Sequence, residues 1–213
     1  MGMSVGWPNK AASWIFRSSL TIPFFYYTYL AFTQDLGAQP AETLNRRLGT
    51  VAIRLLLFNL YLGVAIAWIR PFPTSLRWLG GQRRFLGWAC YFYLLLHISF
   101  HFVKEGNFFP AAIELFKYPY LVAGFAAFLI LTVLAVTSNN RSARRLTYGC
   151  WKKIHRYVYL AIPILAVHLL LIEKRDLQDA LLYVVPIAVL ELIRYWRYRR
   201  DRSASLAGAV RKI

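Results

Sequence analysis

The stretch KKIHRYVYLAIPILAVHLLLIEK, residues 152–174, is almost entirely apolar between charged ends, yet it contains His155 and His168. An apolar run of about 20 residues is long enough to cross the hydrocarbon core of a bilayer. Six such runs occur in the chain: 12–33, 48–69, 85–103, 118–137, 154–172 and 178–196. Because lipid offers the backbone no hydrogen-bond partners, each run must pair its own groups and form a helix. The sequence therefore predicts an all-α integral membrane protein, a bundle of six transmembrane helices.

The distribution of charge predicts how this bundle lies in the membrane. The net charge is +17, while only 16% of the 213 residues are charged and 58% are hydrophobic. Basic residues cluster after the second, fourth and sixth runs: Arg70, Arg77, Arg83 and Arg84; Arg141, Arg144, Arg145, Lys152 and Lys153; Arg197, Arg199, Arg200, Arg202, Arg211 and Lys212. Excess positive charge marks cytoplasmic loops, so both termini are predicted to be cytoplasmic. The charge indicates contact with anionic membrane lipid, and no nucleic-acid-binding motif accompanies it.

The chain divides into three parts on this interpretation. Residues 1–11 form an N-terminal cytoplasmic segment, 12–196 the transmembrane domain, and 197–213 a basic cytoplasmic tail that we expect to be unstructured. The two cysteines, Cys90 and Cys150, belong to no CxxC pair and are not expected to form a disulfide.

All four histidines lie in or beside two of the predicted helices. His97 and His101 are in the third helix, and His155 and His168 are in the fifth. A lone buried histidine is usually a packing residue, but a restriction of all four to two helices favours metal ligation. Helices three and five run in the same direction, so His97 and His168 are predicted to face each other at outer depth. Two imidazoles on one haem iron form a six-coordinate b-type site suited to electron transfer.

The second level of the bundle is less symmetrical. His155 precedes His168 by thirteen residues, a rise of about 19 Å along a helix. Its candidate partner is Arg83, fourteen residues before His97 and on nearly the same helix face. Arg83 could contact haem propionates, lie over the iron or ligate it weakly, or be only a charge at the cytoplasmic helix end. His155 and His168 would be about 140° apart on an ideal helix, and we expect Pro163 to re-phase it.

Three further residues are candidate accessory groups. His101 is one turn beyond His97 and could be an alternative outer ligand, a propionate contact or a group facing a partner. Arg17 and Arg54 lie within the first and second helices, where snorkelling or pairing with a propionate or phosphate would offset the cost of their charge.

Several segments, in this order, resemble the MsrQ (YedZ) family. They are LGAQP at 36–40, RRFLGWACYFYLLLH at 83–97, YPYLVAGFAAFLILTVLAVTS at 118–138, WKKIHRYVYL at 151–160 and AVHLLL at 166–171. These proteins are the haem-binding membrane subunits of the periplasmic methionine sulfoxide reductase system, and they are related to ferric reductase-like transmembrane domains. The resemblance covers residues 12–196. Three positions depart from the family pattern. His101 is an additional histidine, and Gln39 stands where the family often has an acidic residue. Residues 62–68 lack the family's Thr-Pro pair.

The resemblance implies a function in electron transfer across the bacterial inner membrane. It implies haem b, two haems by the histidine count, with FMN as a further cofactor. The electron acceptor would be a periplasmic molybdenum-containing MsrP-like subunit, and the donor the quinone pool or a cytoplasmic flavin reductase. The family's histidines correspond to His97, His155 and His168, and its arginine to Arg83. Substrate chemistry would then belong to the partner, which leaves open whether this chain is itself an enzyme.

Other functions remain open on the sequence alone. Within redox chemistry, a ferric reductase or a quinol-oxidising cytochrome b is an alternative. A proton or metal-ion transporter using the histidines as a relay would be expected to have more carboxylates at mid-membrane than Glu191. A redox-inert membrane anchor is a third alternative, and only the haem proteins would be coloured.

Overall fold

The computed structural model describes residues 7–33, 40–68, 73–104, 108–172 and 177–210, and within them the chain is helical without strands. The helices are α1 (Trp7–Ser19), α2 (Ile22–Phe32), α3 (Pro40–Trp68), α4 (Arg77–Lys104), α5 (Phe108–Lys117), α6 (Pro119–Thr137), α7 (Asn140–Arg145), α8 (Thr147–His155), α9 (Val158–Leu170) and α10 (Leu177–Val210), with a 3₁₀ turn at Thr74–Leu76. Prolines begin α3 and α6, where a missing amide hydrogen costs little.

Four helical segments of the described residues are long and apolar enough to cross a bilayer. They are Pro40–Trp68, Thr74–Val103, Pro119–Thr137 and Thr147–Leu170. They correspond to the second to fifth predicted runs, which confirms an all-α protein with several membrane-crossing helices. The count of six spans and the cytoplasmic placement of the termini stay predictions.

The first predicted run, 12–33, is two helices rather than one continuous helix. The break falls at Leu20–Thr21, between the end of α1 at Ser19 and the start of α2 at Ile22, one residue before Pro23. The buried Tyr93 hydroxyl accepts a hydrogen bond from the Phe24 amide at 3.1 Å and donates one to the Leu20 carbonyl at 2.6 Å. In an unbroken helix Phe24 would bond to Leu20 directly. The hydroxyl therefore inserts between two groups that the break separates, and it keeps both paired.

Two pairs of antiparallel helices, α3 with α4 and α6 with α9, make up most of the bundle. The pairs meet where Tyr91 of α4 donates a hydrogen bond to Thr132 of α6 at 3.2 Å and stacks on Phe128. Helix α10 packs against α9 and α3, and its buried Tyr183 and Ile187 complete the larger apolar core. The surface at the junction of α4 and α6 thus fixes the relative height of the two pairs.

The predicted re-phasing between His155 and His168 occurs at a turn, not at Pro163. Helix α8 ends at His155 and α9 begins at Val158, and the amides of residues 156, 157, 159 and 160 bond three residues back. Each such residue advances about 120° around the axis instead of 100°, which brings the two histidines closer in phase. Pro163 lies inside α9, which continues to Leu170. The sequence offered Pro163 as a candidate cause of this rotation, whereas the structure shows tightened turns at residues 156–160.

The expectation of an unstructured tail at 197–213 is wrong for residues 197–210, because α10 continues to Val210. Arg199 lies 6.0 Å from the ring of Tyr195, and Arg200 lies 5.5 Å from the ring of Trp196. Both pairs are four residues apart, the spacing at which side chains on a helix meet. The basic character that predicted disorder here supplies local helix contacts instead.

Candidate haem site

His97 of α4 lies against the backbone of α3 at a glycine. Its Nδ1 is 2.8 Å from the carbonyl oxygen of Asn45. A Cβ placed on Gly49 would stand 2.9 Å from Nδ1 and 3.0 Å from Cε1 of this ring. Real Cβ atoms do not approach that closely, so the imidazole occupies the space that a side chain at residue 49 would fill.

His168 of α9 repeats this arrangement against α6. Its Nδ1 is 2.6 Å from the carbonyl oxygen of Tyr120, and a Cβ on Gly124 would stand 2.8 Å from the same nitrogen. In both places the accepting carbonyl belongs to the residue four positions before the glycine. Each ring therefore lies along one turn of the neighbouring helix and bonds to the start of that turn.

We call the position of a side chain over a glycine of the neighbouring helix a glycine seat. The carbonyl contact in the seats of His97 and His168 selects one tautomer of each imidazole. A carbonyl oxygen can only accept, so Nδ1 must carry the proton and the lone pair lies on Nε2. Histidines that ligate metals are held in this way, with one nitrogen donating to a carbonyl and the other available to the metal. The donor set of His97 and His168 therefore fits the two axial positions of a haem iron.

The contact between α4 and α6 places these two histidines at matching depth. Tyr91 contacts Phe128 and Thr132, so these residues of α4 and α6 lie at the same height. From Tyr91 to His97, α4 rises about 9 Å. From residues 128–132 to Gly124, α6 covers about the same height in the same direction. Because Gly124 seats His168, the imidazoles of α4 and α9 lie at one level. Among the described residues there is no group of three His, Cys, Asp or Glu side chains able to hold a metal ion. A porphyrin bound there would supply the remaining ligands of the iron.

The second level repeats the glycine seat for an arginine. A Cβ on Gly63 would stand 2.6 Å from Nη2 of Arg83. Arg83 Nε donates to Asn59 Oδ1 at 3.2 Å, and Asn59 Nδ2 donates to the Arg83 carbonyl at 3.0 Å. Asn59 and Gly63 follow Asn45 and Gly49 by fourteen residues on α3, just as Arg83 precedes His97 by fourteen on α4. Helix α3 therefore presents two matching seats, one filled by imidazole and one by guanidinium.

His155 contacts α6 differently from His168. Its Nε2 is 3.3 Å from the Thr137 hydroxyl oxygen, and its ring lies 4.2 Å from that of Trp151, centroid to centroid. The Trp151 indole donates to the Thr137 carbonyl at 3.0 Å. Thr137 and Gly124 are thirteen residues apart on α6, so both histidines face that helix at two depths. The contact of His155 is therefore to a hydroxyl through Nε2, whereas His97 and His168 contact carbonyl oxygens through Nδ1.

The structure places the three accessory candidates apart from one another. Arg17 donates from Nε to Gln82 at 2.8 Å, and Arg54 donates from Nε to the Tyr183 hydroxyl at 3.2 Å. Each bond pairs one guanidinium donor with a neutral acceptor, and pairing of these charges with a propionate or a phosphate stays a prediction. His101 is half-buried, with the ring of Phe102 5.8 Å away, and is not part of the His97 seat.

Four residues of the site were not predicted from the sequence: Gly49, Gly63, Gly124 and Asn59. A signal for them exists on α3, where NRRLG at 45–49 and NLYLG at 59–63 repeat one pattern at an interval of fourteen. That interval equals the separation of Arg83 and His97, and it could have paired the two helices. Helix α6 contains a single glycine, Gly124, so it has no repeated pattern from which the seat of His168 could have been predicted.

Comparison with known proteins gives the family. Residues 48–166 match the family described as ferric reductase like transmembrane component. A protein of Ralstonia nicotianae is 32% identical over 192 residues, which cover 88% of this chain and 86% of the relative. A Brucella ovis protein is 32% identical over 204 residues, or 93% of this chain and 89% of the relative. Each bears the name protein-methionine-sulfoxide reductase haem-binding subunit MsrQ. The chain belongs to the MsrQ family.

Membership of the MsrQ family confirms the resemblance found in the sequence. A Brucella melitensis relative of the same name is 31% identical over 207 residues, with 93% of this chain and 89% of the relative covered. The ferric reductase-like match includes His97, Gly49, Arg83 and Gly63, begins three residues after Asn45 and ends two residues before His168. The relatives extend the similarity over 88–93% of the chain, a share large enough to include both His97 and His168.

Proposed function

We propose that this chain is the membrane electron-transfer subunit of a methionine sulfoxide reductase system, with b-type haem held between α4 and α9. The observation that supports it most is the pair of matched seats, in which His97 and His168 lie over Gly49 and Gly124 with Nδ1 on a carbonyl. Haem bound there would supply reversible one-electron chemistry at its iron. The relatives named as haem-binding subunits support the same cofactor.

In this proposal His97 and His168 are the two axial ligands of the outer haem. The carbonyls of Asn45 and Tyr120 hold the protons on Nδ1, which orients each ring and makes its Nε2 a better donor. With His97 and His168 both bound to it, the haem would have no iron site left for water, which would suit electron transfer rather than catalysis at the metal. Chemistry on the oxidised methionine is therefore assigned to a partner subunit.

At the inner level, His155 is the proposed ligand of a second haem and Arg83 its contact to a propionate. A guanidinium presents several donors in a plane, which suits a carboxylate better than it suits iron. If His155 binds iron through Nε2, the metal replaces its contact with the Thr137 hydroxyl. His97 and His168 make their carbonyl contacts through Nδ1 instead. A count of haem per chain separates one haem from two, and FMN is a further cofactor of the proposal.

The proposed orientation places the basic end of the bundle in the cytoplasm and the outer haem near the periplasm. Six spans, with both termini inside, follow from the basic residues after the second, fourth and sixth runs. Electrons would enter from the quinone pool or a cytoplasmic flavin reductase and leave to a molybdenum-containing MsrP-like subunit at the outer face of the bacterial inner membrane. The ferric reductase-like family match favours one alternative within the same class, a membrane haem oxidoreductase with another acceptor.

The experiment is a dithionite-reduced minus oxidised spectrum of the purified protein with haem quantified per chain. We expect a six-coordinate b-type spectrum, loss of the outer haem in His97→Ala and in His168→Ala, and its retention in His155→Ala. His101→Ala is the matched control, since it removes a histidine one turn away from the seat. Protein that stays colourless with added haem would contradict the proposal, and so would equal loss in His97→Ala and the control.

A further inference from the structure

An open apolar groove lies at the basic end of the bundle, away from the histidines. Its volume is about 520 Å³. It is lined by the end of α3 and one face of α10, through Trp68, Leu192, Ile193, Tyr195, Trp196 and Arg199. Four of these side chains are strongly exposed: Trp68 at 43%, Leu192 at 67%, Tyr195 at 58% and Trp196 at 53%. This volume lies within the range of small-molecule and cofactor sites.

Arginines are fixed along one edge of this groove by aromatic rings. The rings of Trp68 and Trp196 are 5.6 Å apart, and Arg197 lies 5.7 Å from the Trp68 ring. Arg200 lies 5.5 Å from the Trp196 ring, and Arg199 donates from Nη1 to the Tyr195 hydroxyl at 3.3 Å. Stacking on aromatic faces holds guanidinium groups while their edges remain able to donate.

The groove therefore combines an apolar lining with a positively charged edge. Its walls are apolar and belong to helices that pack in the bundle, and its edge carries three arginines beyond the last apolar run of α10. The same end of the bundle carries Arg84, Lys152 and Lys153. A ligand that matches this pattern has long apolar chains and an anionic phosphate head. Phosphate accepts the planar donors of arginine, and apolar chains cover rings that water would otherwise contact.

We infer that the groove lined by Trp68 and Trp196 is a binding site for one anionic phospholipid of the membrane, with its acyl chain on the aromatic and aliphatic lining and its phosphate at Arg199 and Arg200. Tryptophan and tyrosine are enriched at the depth where head groups meet acyl chains, which is the depth that such a lipid requires. The inference is independent of haem binding, because no residue of the groove belongs to a histidine seat.

The test is native mass spectrometry of the full chain in detergent, titrated with phosphatidylglycerol or phosphatidylethanolamine. We expect one phosphatidylglycerol to bind before any others and phosphatidylethanolamine to bind more weakly. A basic residue near a membrane surface contributes about 1 kcal/mol toward anionic lipid, so Arg199→Gln with Arg200→Gln should weaken the first binding event roughly tenfold or more. Arg144→Gln with Arg145→Gln removes the same charge from α7, which does not line the groove, and should weaken the first binding event less than the groove variant does.

A second variant keeps the inference testable if the arginine double variant does not fold. Trp196→Leu retains every charge but removes the ring between Trp68 and Arg200, and it should also weaken the first binding event. Equal affinity for the two lipids would overturn the inference and leave only general lipid contact. Equal weakening of lipid binding in the Arg144 and Arg145 control would show that the affinity depends on net charge alone, and it would overturn the inference. Displacement of the lipid by soluble glycerol phosphate at comparable concentration would identify a phosphate site instead of a lipid site.

Discussion

His97 Nδ1 lies 2.9 Å from the position that a Cβ would take on Gly49, and His168 Nδ1 lies 2.8 Å from the same position on Gly124. Gly49→Ala or Gly124→Ala must therefore push an imidazole off its carbonyl. Because residues that orient metal ligands typically contribute tenfold to hundredfold to affinity, we expect haem at the outer site to bind roughly tenfold to hundredfold more weakly in each variant. Haem titration of the apoprotein, followed by its absorbance, measures this change.

Gly81→Ala is the matched control for both variants. It makes the same substitution on α4, where a Cβ would meet nothing within 4 Å. Alanine is a better helix former than glycine, so this variant should fold and bind haem as well as the parent protein. Outer haem binding that is unchanged in Gly49→Ala and Gly124→Ala would contradict the role assigned to the two seats.

Arg83→Lys tests the inner seat while retaining a positive charge. Lysine lacks the Nε group that donates to Asn59 and the planar head that lies over Gly63. We expect the inner contribution to the reduced minus oxidised spectrum to fall and the outer contribution to remain. Arg84→Lys is the control, because Arg84 is the adjacent residue and bonds to Asn140 instead. Equal spectra for the two variants and the parent would show that residue 83 is only a charge at the helix end.

The sequence predicted the parts of the site that have unusual chemistry. Histidine within an apolar run is costly, so His97, His155 and His168 were identifiable without a structure, and Arg83 was identified by its spacing of fourteen residues from His97. The glycine seats were not predicted, because a glycine in a transmembrane helix is common and signals nothing by itself. Only the packing of α3 on α4 reveals that Gly49 lies beneath an imidazole. The histidines could be identified from the energetic cost of a polar side chain in an apolar run, whereas the glycines proposed to position them could not.

The predicted helix boundaries were wrong where contacts of polar side chains, rather than average hydropathy, decide the structure. The run 12–33 is uniformly apolar enough to be read as one helix, but Tyr93 lies far away in sequence and inserts its hydroxyl at Leu20. Conversely, 197–210 was assigned to a disordered tail by its charge, although Tyr195 and Trp196 pair with arginines one turn later. Both errors concern contacts of individual side chains, which a window of average hydropathy cannot represent.

Tyr93→Phe tests the break between α1 and α2. Tyr93 is only 1% exposed, and its hydroxyl pairs both the Phe24 amide and the Leu20 carbonyl. Removing one partner of a buried hydrogen bond costs about 1–3 kcal/mol, so the free energy of unfolding should fall by roughly that amount. Unfolding in denaturant, followed by helical circular dichroism in detergent, measures the change.

Tyr91→Phe is the control for this variant. Tyr91 is on the same helix, and its hydroxyl bonds to a side chain, Thr132, rather than to the backbone of a helix break. Thr132 also donates to the Phe128 carbonyl, so it keeps a partner when the Tyr91 hydroxyl is removed. We expect a smaller loss of stability in Tyr91→Phe, and an equal loss in the two variants would mean that Tyr93 does not specifically support the break.

The two cysteines test the orientation of the bundle in the membrane. Cys150 is exposed on α8 beside the basic residues, whereas Cys90 is buried and its Sγ lies 3.3 Å from the Ala52 carbonyl oxygen. If the basic end is cytoplasmic, a membrane-impermeant maleimide should label Cys150 in inside-out vesicles and not in intact spheroplasts. Cys150→Ser should abolish labelling in both preparations until the protein is denatured, because Cys90 is inaccessible in the folded bundle. Labelling of Cys150 in intact spheroplasts would place the basic end outside and reverse the direction of electron flow proposed here.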